Sequence, residues 1–66
     1  MPKFKVGDKL ERVGEHVPAS MREGIVLRVI PPSADLPDMF SRYEINFEST
    51  TGIFYETQLR LLKSAS

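Results

Sequence analysis

Only a handful of side chains in this 66-residue chain are of a kind that does chemistry, and their spacing limits what each can do. Gly7-Asp8 sits inside the run FKVGDKLERV, residues 4–13. A phosphate loop needs repeated glycines and a Lys-Ser/Thr step to wrap phosphate oxygens, and neither is present, so the pair reads as a bend. His16, the single histidine, lies in a polar stretch beside Glu15. A general base needs an oriented partner and a substrate in reach, so His16 reads as a solvated loop residue. Asp35 and Asp38 stand three apart in one proline-rich loop. Without a metal or an apolar pocket to move a carboxyl pKa they read as turn formers, with Asp38 able to cap a turn through Met39 and Phe40. Ser49, Thr50 and Thr51 are consecutive hydroxyls with no base to activate them. Cysteine is absent, which removes disulfides, thiol chemistry and cysteine-held metals. With one histidine, a zinc site would rest on carboxylates. No catalytic residue, metal or cofactor is assigned.

The aromatic and basic residues carry more. Phe54 and Tyr55 are adjacent in a strand-like segment, so one must point into the core and the other out. The outward one, with Phe40 and Met39 from a long loop, would make a contact patch suited to stacking or to an interface. Nine Lys/Arg balance nine Asp/Glu, a formal charge of zero. Residues 1–30 hold six basic and four acidic side chains and residues 31–66 three and five, so the halves carry +2 and −2. Dedicated nucleic-acid binders show a clear basic excess. The asymmetry supports only a local stripe of Lys5, Lys9, Arg12 and Arg28. In a nucleic-acid reading, Lys5, Lys9, Arg12 and Arg28 would touch phosphates while Tyr55 or Phe54 stacked a base.

These residues need elements to hold them. Asp8–Val13 reads as a first strand launched by the Gly7-Asp8 turn. GIVLRVI, residues 24–30, is β-branched and apolar on both faces, which fits a central strand, and Pro31-Pro32 ends it. RYEINFE, residues 42–48, alternates, with Tyr43, Ile45 and Phe47 on the buried side and Glu44, Asn46 and Glu48 opposite. STTG, residues 49–52, reads as a hairpin turn into IFYE, residues 53–56. TQLRLL, residues 57–62, suits a closing strand with Leu59 and Leu61 on one face. The two long connections, residues 14–23 and 31–41, are long enough to be functional, and DMF in the second fits one helical turn. Residues 63–66 read as a frayed tail.

Short strands punctuated by glycine and proline imply an all-β domain, and sixty-odd residues fit a closed or nearly closed five-stranded barrel. The succession FKVGDKL, GIVLRVI, YEINF and FYETQLRLL resembles the SH3-like small barrel over residues 4–62. In that pattern a Gly-Asp pair opens strand one and Gly-x-Val opens strand two. A Glu-x-x-Leu step, here Glu56 and Leu59, makes a one-turn 3₁₀ helix before the last strand. A more distant resemblance is to the type II dihydrofolate reductases, tetrameric barrels whose Val-Gln-Ile-Tyr motif lines a central pore. Tyr55 aligns with that tyrosine and Arg12 falls near the phosphate-holding lysine, but Ile53 and Phe54 replace the glutamine and isoleucine. The fold itself hosts many unrelated activities.

The chain is one domain by length. Its longest apolar run, IVLRVI, is far below the roughly 20 residues of a membrane helix, and MPKFK lacks a signal-peptide core, so a cytoplasmic protein is expected. The function expected is a non-enzymatic binding or assembly module that contacts a protein partner or associates weakly with itself. Its binding residues would be Phe40, Phe54, Tyr55, Arg12 and Arg28. The alternatives are a nucleic-acid-binding barrel and a reductase-like enzyme.

Overall fold

Five short strands and three single 3₁₀ turns make up the computed structural model, which describes residues 2–65. The strands are β1 (Lys9–Arg12), β2 (Glu23–Ile30), β3 (Arg42–Asn46), β4 (Thr51–Tyr55) and β5 (Leu59–Lys63). The turns are η1 (Ala19–Met21), η2 (Asp38–Phe40) and η3 (Glu56–Gln58). All four ladders are antiparallel and form one sheet in the order β4-β3-β2-β1-β5. The all-β, five-stranded expectation holds, with the one-turn helices at DMF and at Glu56–Gln58 where the sequence puts them. The sheet is not closed, however. Among the described residues no ladder joins β4 to β5, because β5 leaves η3 to pair with β1.

Alternation builds the core. Tyr43, Ile45 and Phe47 are buried as expected, and they meet Phe4, Leu10, Val26 and Leu59 on the same side of the sheet. Met21, Val29 and Phe54 pack against that cluster. Glu48 is exposed, while Glu44 is half-buried beneath its neighbours. β2 is the central strand, yet its outer face is not covered: Ile25 is 40% and Leu27 45% exposed. A register shift between Val26 and Arg28 inserts Leu27 as an extra residue there, and a bulge of this kind turns the strand and sharpens its twist. Leu61 is likewise exposed although it stands opposite buried Leu10, since β5 is an edge strand with no further ladder among the described residues.

Two glycines do steric work in this packing. A Cβ on Gly24 would sit 2.5 Å from Ile45 Cγ2 and 2.7 Å from the Asn46 carbonyl oxygen. A Cβ on Gly52 would fall 2.8 Å from the Phe54 ring. Gly52 therefore belongs to β4 and not to the hairpin turn. The Phe47 amide donates to the Thr50 carbonyl at 2.8 Å, which confines the turn to Glu48 and Ser49.

The opening bend is held from both sides. Gly7 takes φ +92°, open to glycine at no steric cost. The buried Asp8 carboxylate accepts the Lys5 amide at 3.0 Å and the Ala65 amide at 2.8 Å. β5 itself runs through Lys63, so hydrogen bonding continues past residue 62.

Candidate functional site

β4 decides which aromatic is available. Gly52 and Phe54 turn inward and Ile53 and Tyr55 outward, a consequence of the register that places Phe54 opposite Tyr43. Phe54 meets Phe47 edge to face at 5.7 Å. Tyr55, 46% exposed, is the outward partner.

The loop after β2 delivers the second ring. Pro37 in extended conformation precedes η2, the Phe40 amide donates to its carbonyl at 3.0 Å, and the Ser41 amide donates to the Asp38 carbonyl at 2.9 Å. Pro37 occupies the cap position expected for Asp38, which is instead the first residue of the turn. Ser41 is buried and its carbonyl accepts the Glu56 amide at 3.0 Å, tying the end of the loop to η3. The Gln58 side-chain oxygen accepts the Tyr55 amide at 2.9 Å and fixes η3 from the other side. With both turns anchored, Phe40 and Tyr55 meet edge to face, centroids 6.5 Å apart and planes at 87°.

Two recesses flank this pair. One, of about 190 Å³, is lined by Met39, Phe40, Tyr55 and Thr57. The other, of about 330 Å³, lies among Pro31, Pro32, Leu36, Phe40, Arg42 and Tyr55. The shared rings join them in one groove, apolar in the recess of Met39 and Thr57 and mostly polar in the larger one, where Ser33 and Arg42 contribute and Arg42 is the cation.

Beneath the groove lies a polar network. The Tyr43 hydroxyl accepts the Lys3 and Phe4 amides at 3.1 and 3.3 Å and donates to Glu56 Oε2 at 2.9 Å. Glu56 Oε2 also accepts the Lys3 amide at 3.1 Å. Burial pushes the Tyr43 phenol above its ordinary value, the Phe4 amide opposes this, and the Glu56 carboxylate adds to it. The tie holds the N-terminal segment, β3 and η3 in one arrangement.

The expected site residues separate. Phe40 and Tyr55 come together. Phe54 does not join them; it faces inward, where the Arg12 guanidinium lies 4.4 Å from its ring centroid. Arg28 is on the outer face, paired with Glu44 at 3.5 Å, and Lys9 is paired with Glu23 at 3.2 Å. Arg12 and Tyr55, the two positions singled out by the reductase comparison, thus belong to opposite faces of the sheet. His16 is fully in solvent at φ +63°, with Glu15 3.9 Å away. Thr50 Oγ1 donates to the Thr51 carbonyl at 3.4 Å, a local turn contact. Among the described residues no three His, Cys, Asp or Glu side chains are grouped to hold a metal, and no helix is long and apolar enough to cross a membrane.

Sequence reasoning missed Pro31, Pro32, Leu36, Arg42 and Thr57 as groove walls. The double proline signalled a strand end, and only the fold of the loop turns it toward Tyr55. No protein-family model, curated protein or solved structure matches this chain.

Proposed function

We propose that the protein is a non-enzymatic binding module whose groove takes an extended segment of a protein partner. The observation that carries this reading is the edge-to-face Phe40–Tyr55 pair held in solvent between two recesses. Contiguous exposed aromatic surface with a polar rim marks interaction sites, and Tyr contributes large contact area at little entropic loss. Small-molecule sites usually occupy about 300–1,000 Å³ in one enclosed cavity. Two open recesses of about 190 and 330 Å³, divided by the Phe40–Tyr55 pair and enclosing no single cavity, suit successive side chains of a peptide better. The apolar recess at Met39 and the polar one at Arg42 favour a segment with an apolar side chain followed by a carboxylate.

The strand order supports an SH3-like reading of the fold: four consecutive strands in a meander, then a one-turn 3₁₀ helix, then a fifth strand beside the first. Fold alone does not give function, so the groove carries the argument. A nucleic-acid role has less support, because Lys9, Arg12 and Arg28 are each engaged within the chain.

The test is an amide-shift titration with two leucine- and proline-rich peptides of equal length, one carrying an aspartate and the other a lysine in its place. Shifts are expected at Met39, Phe40, Tyr55 and Thr57, stronger with the acidic peptide and lost in Tyr55→Ser. Shifts clustered instead around Arg12 and Arg28 with mixed-sequence oligonucleotides at low salt, and none with the peptides, would overturn the reading.

A further inference from the structure

The open sheet has two ends, and they are not equally protected. Natural edge strands discourage pairing with charge, proline, bulges or brevity. β5 has such devices: Arg60 and Lys63 lie on it, and its pairing with β1 is irregular between Lys9 and Leu10. β4 has none. Its five residues are TGIFY, without charge or proline, and its ladder with β3 is regular throughout.

The direction of each β4 backbone group follows from two bonds. The Glu56 amide donates to the Ser41 carbonyl and the Phe47 amide to the Thr50 carbonyl. Hydrogen-bonded pairs alternate along an antiparallel ladder, so Gly52 and Phe54 also bond to β3. Thr51, Ile53 and Tyr55 therefore turn their amides and carbonyls away from β3, toward the open edge. Gln58 takes the Tyr55 amide and Thr50 Oγ1 reaches the Thr51 carbonyl. Among the described residues this leaves both polar groups of Ile53 and the Thr51 amide for a partner at the edge; the Tyr55 carbonyl, at the cap of η3, accepts the first bond of that turn and offers its second lone pair. The Ile53 side chain beside them is 46% exposed.

We infer that this edge pairs with the β4 edge of a second copy of the chain, antiparallel and two-fold about Ile53. In that register each Ile53 amide meets the partner's Ile53 carbonyl, and each Thr51 amide meets the partner's Tyr55 carbonyl. Three of the four groups that the symmetric pairing uses have no other role in the monomer, and the fourth, the Tyr55 carbonyl, joins through its second lone pair. A two-fold interface must be self-complementary, and an uncharged strand on a chain of zero net charge opposes no like charges. The nearest acids on the outer face, the two Glu44 side chains, would be separated by both Ile53 residues. That is about 14 Å at three strand spacings, and each Glu44 already pairs with its own Arg28. A single strand edge buries far less than the roughly 1,200–2,000 Å² of a stable interface, so the association is weak and concentration-dependent.

Sedimentation velocity on the full chain, from about 10 μM to about 1 mM, spans the range where a weak pair forms. The expected result is a monomer that converts to dimer and stops there, with the Ile53 amide protected from hydrogen exchange only in concentrated samples. Ile53→Pro removes an amide that β3 does not use and should give a folded monomer throughout. Ile53→Lys, which keeps the amide and sets two like charges at the axis, should do the same should the proline variant not fold. Leu62→Lys, on the other edge, and Phe40→Ser, in the groove, should leave the association unchanged. A wild-type monomer at every concentration overturns the inference. Loss of association in Leu62→Lys or Phe40→Ser assigns the contact elsewhere and also overturns it. Growth beyond the dimer does the same, since it requires a head-to-tail contact.

Discussion

Phe54 and Tyr55 are neighbours with opposite surroundings, and substitution should separate them cleanly. Phe54 packs on Phe47 beneath Arg12. Because it is only half-buried, Phe54→Ser is expected to cost about 2–3 kcal/mol, below the roughly 3–5 of a fully buried Phe→Ala. Tyr55→Ser touches no core contact but gives up the edge-to-face contact with Phe40, and should cost about 0.5–1.5 kcal/mol. Urea midpoints of the two variants check both. The sequence shows that one ring must face inward but not which, because the parity of β4 depends on where the hairpin closes. STTG suggests a turn with Gly52 in it. Gly52 is instead an inward strand residue made small by the Phe54 ring. Gly24 is the other such position, and there the obstacle includes backbone. Gly24→Ala should lower stability by about 1–3 kcal/mol through overpacking, read as a lower thermal midpoint with an unchanged far-ultraviolet spectrum. A neutral outcome would mean that β2 and β3 can move apart at Asn46.

At the scale of elements, period-two patterning made the strands legible, and β3 followed it residue for residue. What patterning could not supply is the packing beyond the sheet. Ile25 and Leu27 read as buried because β2 is apolar on both sides, yet a chain this short has no second layer to cover its outer face. Nor could it show that the N-terminal segment is tied to β3 and η3 through Tyr43 and Glu56, partners 13 residues apart in sequence. That tie has a pH signature. The folded-state pKa of Tyr43 lies above its unfolded value of 10.0, so the phenol contributes stability that is complete below pH 10. It is lost as pH rises from there through the folded pKa. Tyr43→Phe should cost about 1–3 kcal/mol at neutral pH, because the Lys3 and Phe4 amides lose an acceptor. It should also abolish the part of the alkaline decline due to this group. Denaturant midpoints of both proteins between pH 8 and pH 11 measure the difference, which should narrow as pH rises. No gap at any pH would show that Tyr43 acts through ring packing alone.

For the molecule as a whole, the two ends of the chain converge on one carboxylate. Asp8 was legible as a turn former because Gly-Asp is turn chemistry. Its second partner, the Ala65 amide 57 residues away, was not, because no local pattern marks a contact made only when β5 lies beside β1. Asp8 therefore closes the bend before β1 and anchors the segment after β5 together, although it is a single exposed-type residue in a buried place. Hydrogen bonds to a charged group contribute about 1.5–3 kcal/mol each, and an uncrosslinked domain of this size has only about 3–5 kcal/mol in total. Removing both bonds should consume most of that margin. Asp8→Ala is expected to be largely unfolded, or to unfold within the first molar of urea, at 25 °C. Asp8→Asn keeps one amide oxygen as an acceptor and presents an NH₂ to the other donor, so it should fall between Asp8→Ala and wild type. Truncation after Ser64 removes the Ala65 bond to Asp8 and should cost about half as much as Asp8→Ala, with the Lys5 turn intact. If Asp8→Ala and the truncation prove equally mild, solvent replaces the carboxylate at both amides, and the two ends are held by the β1–β5 ladder alone.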